Sequence, residues 1–241
     1  MIGLGTIINT AGILLGGLAG MLFGKLFRQR HQQTLTRACG VSVLFIGIAG
    51  ALEQMMQVEA ANLVSGKALL LVICLALGGL LGEILNIEKG FESFGSWLKE
   101  KTGNAKDQNF VNGFVTASLT VCIGAMAIVG AIQDGIEADP STLITKAILD
   151  FVIILVMTCS MGKGCMFSAI PVFALQGTVT VLARLVKPLM TEGALGNLSL
   201  VGSVLIFCVG VNLVFDKRIR VANLLPAILF AVVAAFIPLP I

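Results

Sequence analysis

The sequence predicts an all-α, polytopic integral membrane protein of about eight transmembrane helices, and three observations carry that prediction. Apolar stretches recur along the chain near Ile2–Gly24, Cys39–Met56, Leu63–Leu85, Val111–Ile132, Leu143–Met161, Cys165–Ala183, Leu198–Phe215 and Val221–Pro240. Hydrophobic residues fill 57% of the 241 positions and charged residues only 12%, with a mean hydropathy of +1.00. The charges gather in the short segments between the stretches. A hydrocarbon core about 30 Å thick needs about 20 residues of helix. Every backbone polar group there must pair within its own segment, so the stretches are expected to be helical. Little chain is left for anything else, and residues 1–241 read as one transmembrane domain. Met1-Ile2-Gly3-Leu4 has neither a basic leader nor a small-residue cleavage site, so the first stretch is read as a retained helix.

Stretch one carries Gly12, Gly16, Gly20 and Gly24 on a single helical face. Such a face lets another helix approach closely. Its partner is either another span or another subunit, the second giving a homo-oligomer. Asn9 and Thr10 lie beside this groove and are candidates to pair across helices.

Stretches one to four read as a duplicated hairpin. Gly16-Gly17-Leu18-Ala19-Gly20 in stretch one is echoed by Gly78-Gly79-Leu80-Leu81-Gly82 in stretch three, and Ile46-Gly47-Ile48-Ala49 in stretch two by Ile123-Gly124-Ala125-Met126 in stretch four. A second match places residue 42 on 203. It aligns Ser42-Val43-Leu44 with Ser203-Val204-Leu205, Leu52 with Leu213, and Ala61-Asn62-Leu63 with Ala222-Asn223-Leu224. If it is a repeat, the two copies are inverted in the membrane, an arrangement that secondary transporters use. Between stretches three and four, residues 88–104 form an amphipathic segment. Phe91, Phe94 and Trp97 share one face, as expected of a helix lying in the membrane interface.

Stretch four closes on Gln133-Asp134-Gly135, and stretch five holds Asp150 well inside it. Lys146, one turn earlier on the same face, is the ion-pair partner a purely structural reading supplies. A charge at membrane depth is costly and normally faces protein or a water-filled cavity. Because stretches four and five are joined by a short loop, Asp134 and Asp150 could converge, and two carboxylates suit a hard cation or a proton. Stretch six combines Ser168, Pro171 and Gln176. Proline removes a backbone donor and is expected to kink this helix, freeing a carbonyl near Phe167.

Orientation follows from the loops. Twelve of the 16 basic residues lie in the odd-numbered loops, among them Lys25, Arg28, Arg30, Arg37, Lys217, Arg218 and Arg220. The positive-inside rule puts those loops in the cytoplasm and both termini outside. If stretches five and six merge into one bent pair, the count falls to seven and the carboxyl end reverses.

Several functions are disfavoured. A net charge of +3 that follows the membrane, without clustering on one surface, gives no footing for nucleic acid. The six cysteines sit in apolar segments without a Cys-x-x-Cys pair, and the one histidine, His31, lies in a basic loop. No metal site, cofactor or enzymatic activity is expected, since no nucleophile–base pair can be assembled. Gly162-Lys163-Gly164 lacks the spacing of a phosphate loop.

The segments Gly130-Ala131-Ile132-Gln133-Asp134-Gly135, Leu143-Ile144-Thr145-Lys146-Ala147-Ile148-Leu149-Asp150 and Phe167-Ser168-Ala169-Ile170-Pro171-Val172 resemble the YdfK/YqgA family of uncharacterised bacterial inner-membrane proteins. Gly5-Thr6-Ile7-Ile8-Asn9, Gly78-Gly79-Leu80-Leu81-Gly82-Glu83 and Val221-Ala222-Asn223-Leu224-Leu225-Pro226 extend the likeness over nearly the whole chain. The resemblance implies a multi-pass protein of the bacterial plasma membrane. It assigns no activity, because the family is a domain of unknown function. Lys163 departs from the apolar residue expected at its position, which argues against a buried turn there.

The expected function is membrane transport of a small solute or ion, a cation or proton being involved, by a secondary transporter. The alternatives are an oligomeric ion channel and a non-transporting scaffold or sensor. The expected pathway residues are Asn9, Gln133, Asp134, Asp150, Ser168, Pro171 and Gln176. The expected partners are the lipid bilayer, the transported species and further copies of the chain.

Overall fold

The computed structural model describes residues 1–24, 26–59, 62–215 and 219–237. The basic residues Lys25, Lys217 and Arg218, the repeat position Ala61 and the end of the eighth stretch (238–241) lie outside the described residues. The chain is helical almost throughout: α1 (Leu4–Gly24), α2 (Gln29–Met55), α3 (Ala68–Leu85), α4 (Ile87–Lys101), α5 (Phe110–Cys122), α6 (Ala125–Ile136), α7 (Ser141–Met161), α8 (Ala169–Val181), α9 (Ala183–Val186), α10 (Glu192–Phe215) and α11 (Pro226–Ala234). A short antiparallel hairpin, β1 (Met56–Glu59) and β2 (Asn62–Ser65), joins α2 to α3. Large apolar side chains stay exposed along the helices, Leu22, Val72, Ile84 and Val181 among them. Such a surface is stable against acyl chains and not against water.

Eight full crossings are not what the described residues contain. Six helices are long and apolar enough to span: Leu4–Gly24, Arg30–Met55, Ala68–Leu85, Ser141–Met161, Lys163–Val181 and Glu192–Phe215. The fourth stretch is cut in two, with α5 and α6 bent by 63° at Ile123–Gly124; counted as one broken span it brings the total to seven. Gly124 has φ +144°, a conformation that L side chains rarely adopt, so the helix can break where a glycine sits. Among the described residues the eighth stretch yields a 3₁₀ turn (Val221–Leu224) and the short α11. Pro226 stands at the start of α11, where its missing N–H costs nothing, and the regular helix begins there instead of at Val221.

Stretches five and six do not merge: α7 ends at Met161, and Gly162 (φ +92°) leads into a 3₁₀ turn, Lys163–Ser168, before α8. That turn also revises the expected proline kink. Pro171 falls in the first turn of α8, where N–H groups lack intrahelical partners in any case. The irregular backbone therefore precedes Pro171 instead of following from it. Lys163 itself is exposed, its ammonium reaching Asn104 Oδ1 at 3.4 Å, while Gly164 and Cys165 beside it are buried.

Glycine contacts set the packing. Positions for a Cβ on Gly12, Gly16, Gly20 and Gly24 fall against Ala147, Phe151, Leu155 and Cys159 of α7, as close as 2.5 Å at the Phe151 carbonyl oxygen. Both series climb in steps of four, so α1 and α7 run parallel with backbones nearly touching. The small-residue face thus meets another span of the same chain. α2 and α10 run antiparallel: Gly40 lies on Leu213, Gly47 on Phe207 and Gly50 on Ser203. α3 and α11 do likewise, Gly78 lying on Ala227 and Gly82 on the Asn223 carbonyl. The hairpin built from α2 and α3 therefore packs helix for helix, in opposite sense, against α10 and α11. The offset of residue 42 onto 203 aligns 42–64 with 203–225, which covers the later parts of α2 and α10 and stops short of α3 and α11.

Candidate functional site

One end of α1 is polar where the rest is glycine and aliphatic. Thr6 and Asn9 point away from lipid and are 2% and 0% exposed. They meet Gln176 and Thr180, one turn apart on α8: Asn9 Nδ2 donates to Gln176 Oε1 at 3.2 Å, and the Thr6 and Thr180 hydroxyls lie 3.2 Å apart. Asp134, near the end of α6 and fully buried, accepts the backbone N–H of Gly5 at 3.0 Å and of Thr6 at 3.4 Å through Oδ2. It caps α1 from another helix, a placement the positive end of the helix dipole favours.

The charged centre lies deeper. Lys146 Nζ bonds Asp150 Oδ1 at 2.9 Å, and both side chains are buried. Gly12 against Ala147 and Gly16 against Phe151 bracket Asp150 beside the midpoint of α1, so the pair sits near the middle of the span. Asn9 stands close to the Asp150 carboxylate, and the Cys122 thiol, the last residue of α5, feels the charges of both Lys146 and Asp150. The break between α5 and α6 therefore lies within electrostatic reach of the ion pair. It leaves the last carbonyls of α5 and the first N–H groups of α6 without intrahelical partners at membrane depth.

Four buried polar atoms here have no hydrogen-bond partner among the described residues: Asn9 Oδ1, Asp134 Oδ1, Asp150 Oδ2 and Gln176 Nε2. A buried polar group without a partner costs roughly 1–3 kcal/mol. Native proteins hold few such groups, and each needs a reason. Three of the four are acceptor oxygens, two of them on carboxylates. That set can take a proton, a water molecule or a small cation.

The expected pathway residues divide into two groups. Asn9, Asp150 and Gln176 come together, and Asp134 lies about one turn of α1 further toward its start. Gln133 instead accepts the Thr142 hydroxyl at 2.7 Å, tying the end of α6 to the start of α7. Ser168 donates to the Cys165 carbonyl at 2.7 Å inside the 3₁₀ turn, and Pro171 opens α8. Both therefore serve the turn and the start of α8, apart from the polar cluster. Thr6, Lys146, Thr180 and the Gly124 break complete it and were not among the expected pathway residues. The spacing Thr6–Asn9 and Gln176–Thr180, each one turn, is the signal that marks the two polar faces. Among the described residues no group of three or more His, Cys, Asp or Glu side chains could hold a metal ion.

A bundle of lipid-exposed helices with a broken span and a buried charged centre defines a polytopic α-helical membrane protein. The family model "Protein of unknown function (DUF554)" matches residues 4–236, and the chain belongs to that family. It is similar to "Uncharacterized membrane protein YdfK" of Bacillus subtilis (strain 168), 28% identical over 233 residues that cover 97% of this chain and 96% of the relative. It is also similar to "Uncharacterized protein YqgA" of Escherichia coli (strain K12), 31% identical over 232 residues, covering 95% and 94% respectively. No solved structure matches.

Proposed function

We propose that this protein moves a small cation or a proton across the bacterial inner membrane, as a secondary transporter, with Asp150 as the group that binds or relays the ion. One observation carries the reading: a Lys146–Asp150 pair near mid-membrane with one carboxylate oxygen unpartnered, beside a break in the neighbouring span. Burying two charges costs several kcal/mol per ion before their attraction is counted. A chain that needed only packing would place leucines there. Discontinuous helices at the membrane midplane supply carbonyls and N–H groups to transported ions in this class of protein.

In this mechanism Lys146 is the resting counter-ion of Asp150. An arriving cation or proton takes the free Oδ2, weakens the hold of Lys146 on Oδ1, and leaves a neutral or reorganised centre. Asn9 and Gln176 offer an amide oxygen and an amide N–H that move with α1 and α8. Asp134 holds the start of α1 and couples the outer end of α6 to it. Antiparallel pairing of the α2–α3 and α10–α11 hairpins supports alternating access over an open channel, since inverted halves can exchange conformations. Copies of the chain associate through faces other than the glycine seam of α1, which α7 already covers. Catalysis, cofactors and nucleic acid play no part in the proposal.

The test is flux in liposomes. Purified protein is reconstituted and screened with a pH-sensitive dye and with Na⁺, K⁺ and Li⁺ gradients. Transport by the wild type, abolished in Asp150→Asn with the protein still monodisperse, supports the reading. A wild type that moves none of these ions overturns it and leaves the scaffold or sensor; an Asp150→Asn variant with full flux overturns the role given to Asp150.

A further inference from the structure

Helix α4 has three faces where a surface helix in water needs two. Gly95 and Leu98 are buried, and a Cβ on Gly95 would meet the Phe114 ring of α5 at 2.9 Å. Glu88 and Glu92 fall on this same inner side by spacing. Ser93, Ser96 and Glu100, three and four residues apart, make an exposed polar face. Phe94, Trp97 and Lys101, again three and four apart, make a second exposed face that is aromatic. Phe94 is 40% and Trp97 52% exposed, although the two rings stack at 5.7 Å between centroids. Phe94 also leans on Phe114 at 5.8 Å, which puts the pair beside the beginning of α5. An aromatic face at the end of a span is what an interfacial helix turns toward lipid. Tryptophan is favoured there because its ring is apolar and its N–H is not.

Past α4 the chain turns at Gly103 (φ +71°), and the Asn104 N–H returns to the Lys99 carbonyl at 2.9 Å. The turn walls a hollow of ≈430 Å³ lined by Gly103, Asn104, Ala105, Lys106, Asp107 and Lys163. Lys163 leans over it, its ammonium 3.4 Å from Asn104 Oδ1. Asp107 is the one acid on the wall, and its Oδ1 accepts the Asn109 N–H at 3.0 Å. Neither Lys106 nor Lys163 forms an ion pair among the described residues. Two ammonium groups therefore share the hollow with one carboxylate. Its depth follows from the spans: Gly103–Asp107 stands just before Phe110, where α5 begins, and Lys163 just after Met161, where α7 ends. The polar headgroup layer is about 5–8 Å thick on each side of the hydrocarbon, so both walls lie at headgroup level.

We infer that α4 and this turn form a docking surface for an anionic phospholipid of the cytoplasmic leaflet. The Phe94–Trp97 pair sets among the upper acyl chains, and the lipid phosphate lies between Lys106 and Lys163. An ammonium bonds a phosphate oxygen as a compact point charge, with short charge-assisted hydrogen bonds. Lys101, one turn past Trp97 on the aromatic face, extends its stem along the rings and its charge toward the same layer. The loop charges assign this end of the bundle to the cytoplasm, where the leaflet carries a negative surface potential. A lysine near such a surface strengthens attachment about 5-fold, so the two at the hollow favour an anionic over a zwitterionic lipid by about 25-fold. The inference stands apart from transport, since it uses none of the residues around Asp150.

Trp97 is the only tryptophan of the chain, so its fluorescence reports this surface alone. Full-length protein is reconstituted in vesicles of phosphatidylcholine and phosphatidylglycerol. Bromine is placed near the glycerol end of the acyl chains of one lipid or the other, at rising mole fraction. Expected is quenching of Trp97 by both brominated lipids, with phosphatidylglycerol favoured about 25-fold in relative association. Lys106→Gln and Lys163→Gln should each lower that preference about 5-fold, and the two together should abolish it. Lys187→Gln, exposed at the other end of the bundle between α9 and α10, removes the same charge and should change nothing. Should the double variant fold poorly, raising the salt from 10 mM to 1 M on the wild type should erase the preference, because the screening length shrinks from about 30 to about 3 Å. No quenching by either lipid overturns the docking surface: Trp97 then lies in water if iodide quenches it, and under another protein surface if iodide does not. Equal quenching by the two lipids overturns the headgroup site, and so does a preference indifferent to Lys106, Lys163 and salt. Loss of the preference in inorganic phosphate, at an ionic strength matched with chloride, would assign the hollow to the free anion and overturn the lipid.

Discussion

The two faces of α1 obey opposite rules. Along Gly12, Gly16, Gly20 and Gly24 the helix lies so close to α7 that a methyl group would strike backbone oxygen of Ala147, Phe151 or Leu155 at 2.5–3.0 Å. That face is closed by shape, and dispersion between two backbones holds it. Along Thr6 and Asn9 the same helix meets α6 and α8 through side-chain bonds and leaves polar atoms unpartnered. That face is closed to lipid but open in its chemistry. The difference teaches that a membrane helix can be anchored on one side and keep a reactive centre on the other.

The sharpest way to break this comparison is to strip one charge from the polar side. Lys146→Met leaves the Asp150 carboxylate buried without its cation, and breaking a buried pair in this way costs about 3–5 kcal/mol. A large fall in melting temperature in detergent is expected. Lys146→Met combined with Asp150→Leu should recover most of the loss, since no charge is then left buried, while flux stays absent. A single variant as stable as wild type would mean that water already reaches the pair and that the face is not closed to solvent.

Next in size is the glycine side. Gly16→Ala puts its Cβ 2.5 Å from the Phe151 carbonyl oxygen, which cannot yield unless the two helices part. Overpacking of this kind costs about 1–3 kcal/mol. Gly177→Ala on α8 is the control, because its Cβ would meet nothing within 4 Å; it should be neutral or stabilise by up to about 1 kcal/mol. Equal melting temperatures for the two variants would show that the α1–α7 seam is looser than its geometry implies.

How much of this could be read beforehand differs between the two faces for the same reason. Glycines at spacing four and apolar length are local patterns, and they made most of the helices and the close-packed face legible. Which helix would fill that face was not, because Ala147, Phe151, Leu155 and Cys159 look like any lipid-facing row until α7 is placed. The break at Gly124 was hidden by an apolar run that reads as one continuous span; only the φ of +144° separates it from the glycines that stay helical. Conversely Pro171 drew attention as a kink and proved harmless at the first turn of α8. Asn9, Asp150 and Gln176 stood out because polarity in an apolar run is itself rare. Their mutual contacts cross 167 residues in the case of Asn9 and Gln176, a separation that no periodicity encodes. The eighth stretch failed on length, since composition alone does not say where Pro226 will restart the helix.

A smaller effect separates structure from chemistry within the polar side. Asp134→Ala removes the acceptor for the Gly5 and Thr6 N–H groups and should cost about 1 kcal/mol, the usual worth of a helix N-terminal cap. Asp134→Asn keeps an acceptor oxygen and should retain most of that stability. If Asp134→Asn also keeps wild-type flux, Asp134 acts as a cap and the ion path narrows to Asp150; if flux is lost at full stability, both carboxylates handle the ion.

The smallest expected effect lies outside the membrane, where α7 begins. Asp139 Oδ1 accepts the Ser141 N–H at 3.0 Å, and that bond holds its carboxyl below the usual carboxylate value. A carboxylate with a lowered folded-state pKa stabilises the fold above its unfolded value, near 3.9, and loses that contribution as pH falls through the folded value. The protection of the amides in the first turn of α7, Ser141–Thr145, relative to their intrinsic exchange rates should therefore fall on acidification in the wild type. In Asp139→Asn, which keeps an acceptor but cannot titrate, it should change less. The segment Phe151–Leu155, further along α7, contains no Asp, Glu or His, so its protection should hold over the same range. Should that segment open together with the first turn, α7 is one cooperative unit from end to end, and the anchored and the reactive sides of the bundle are not separable in stability.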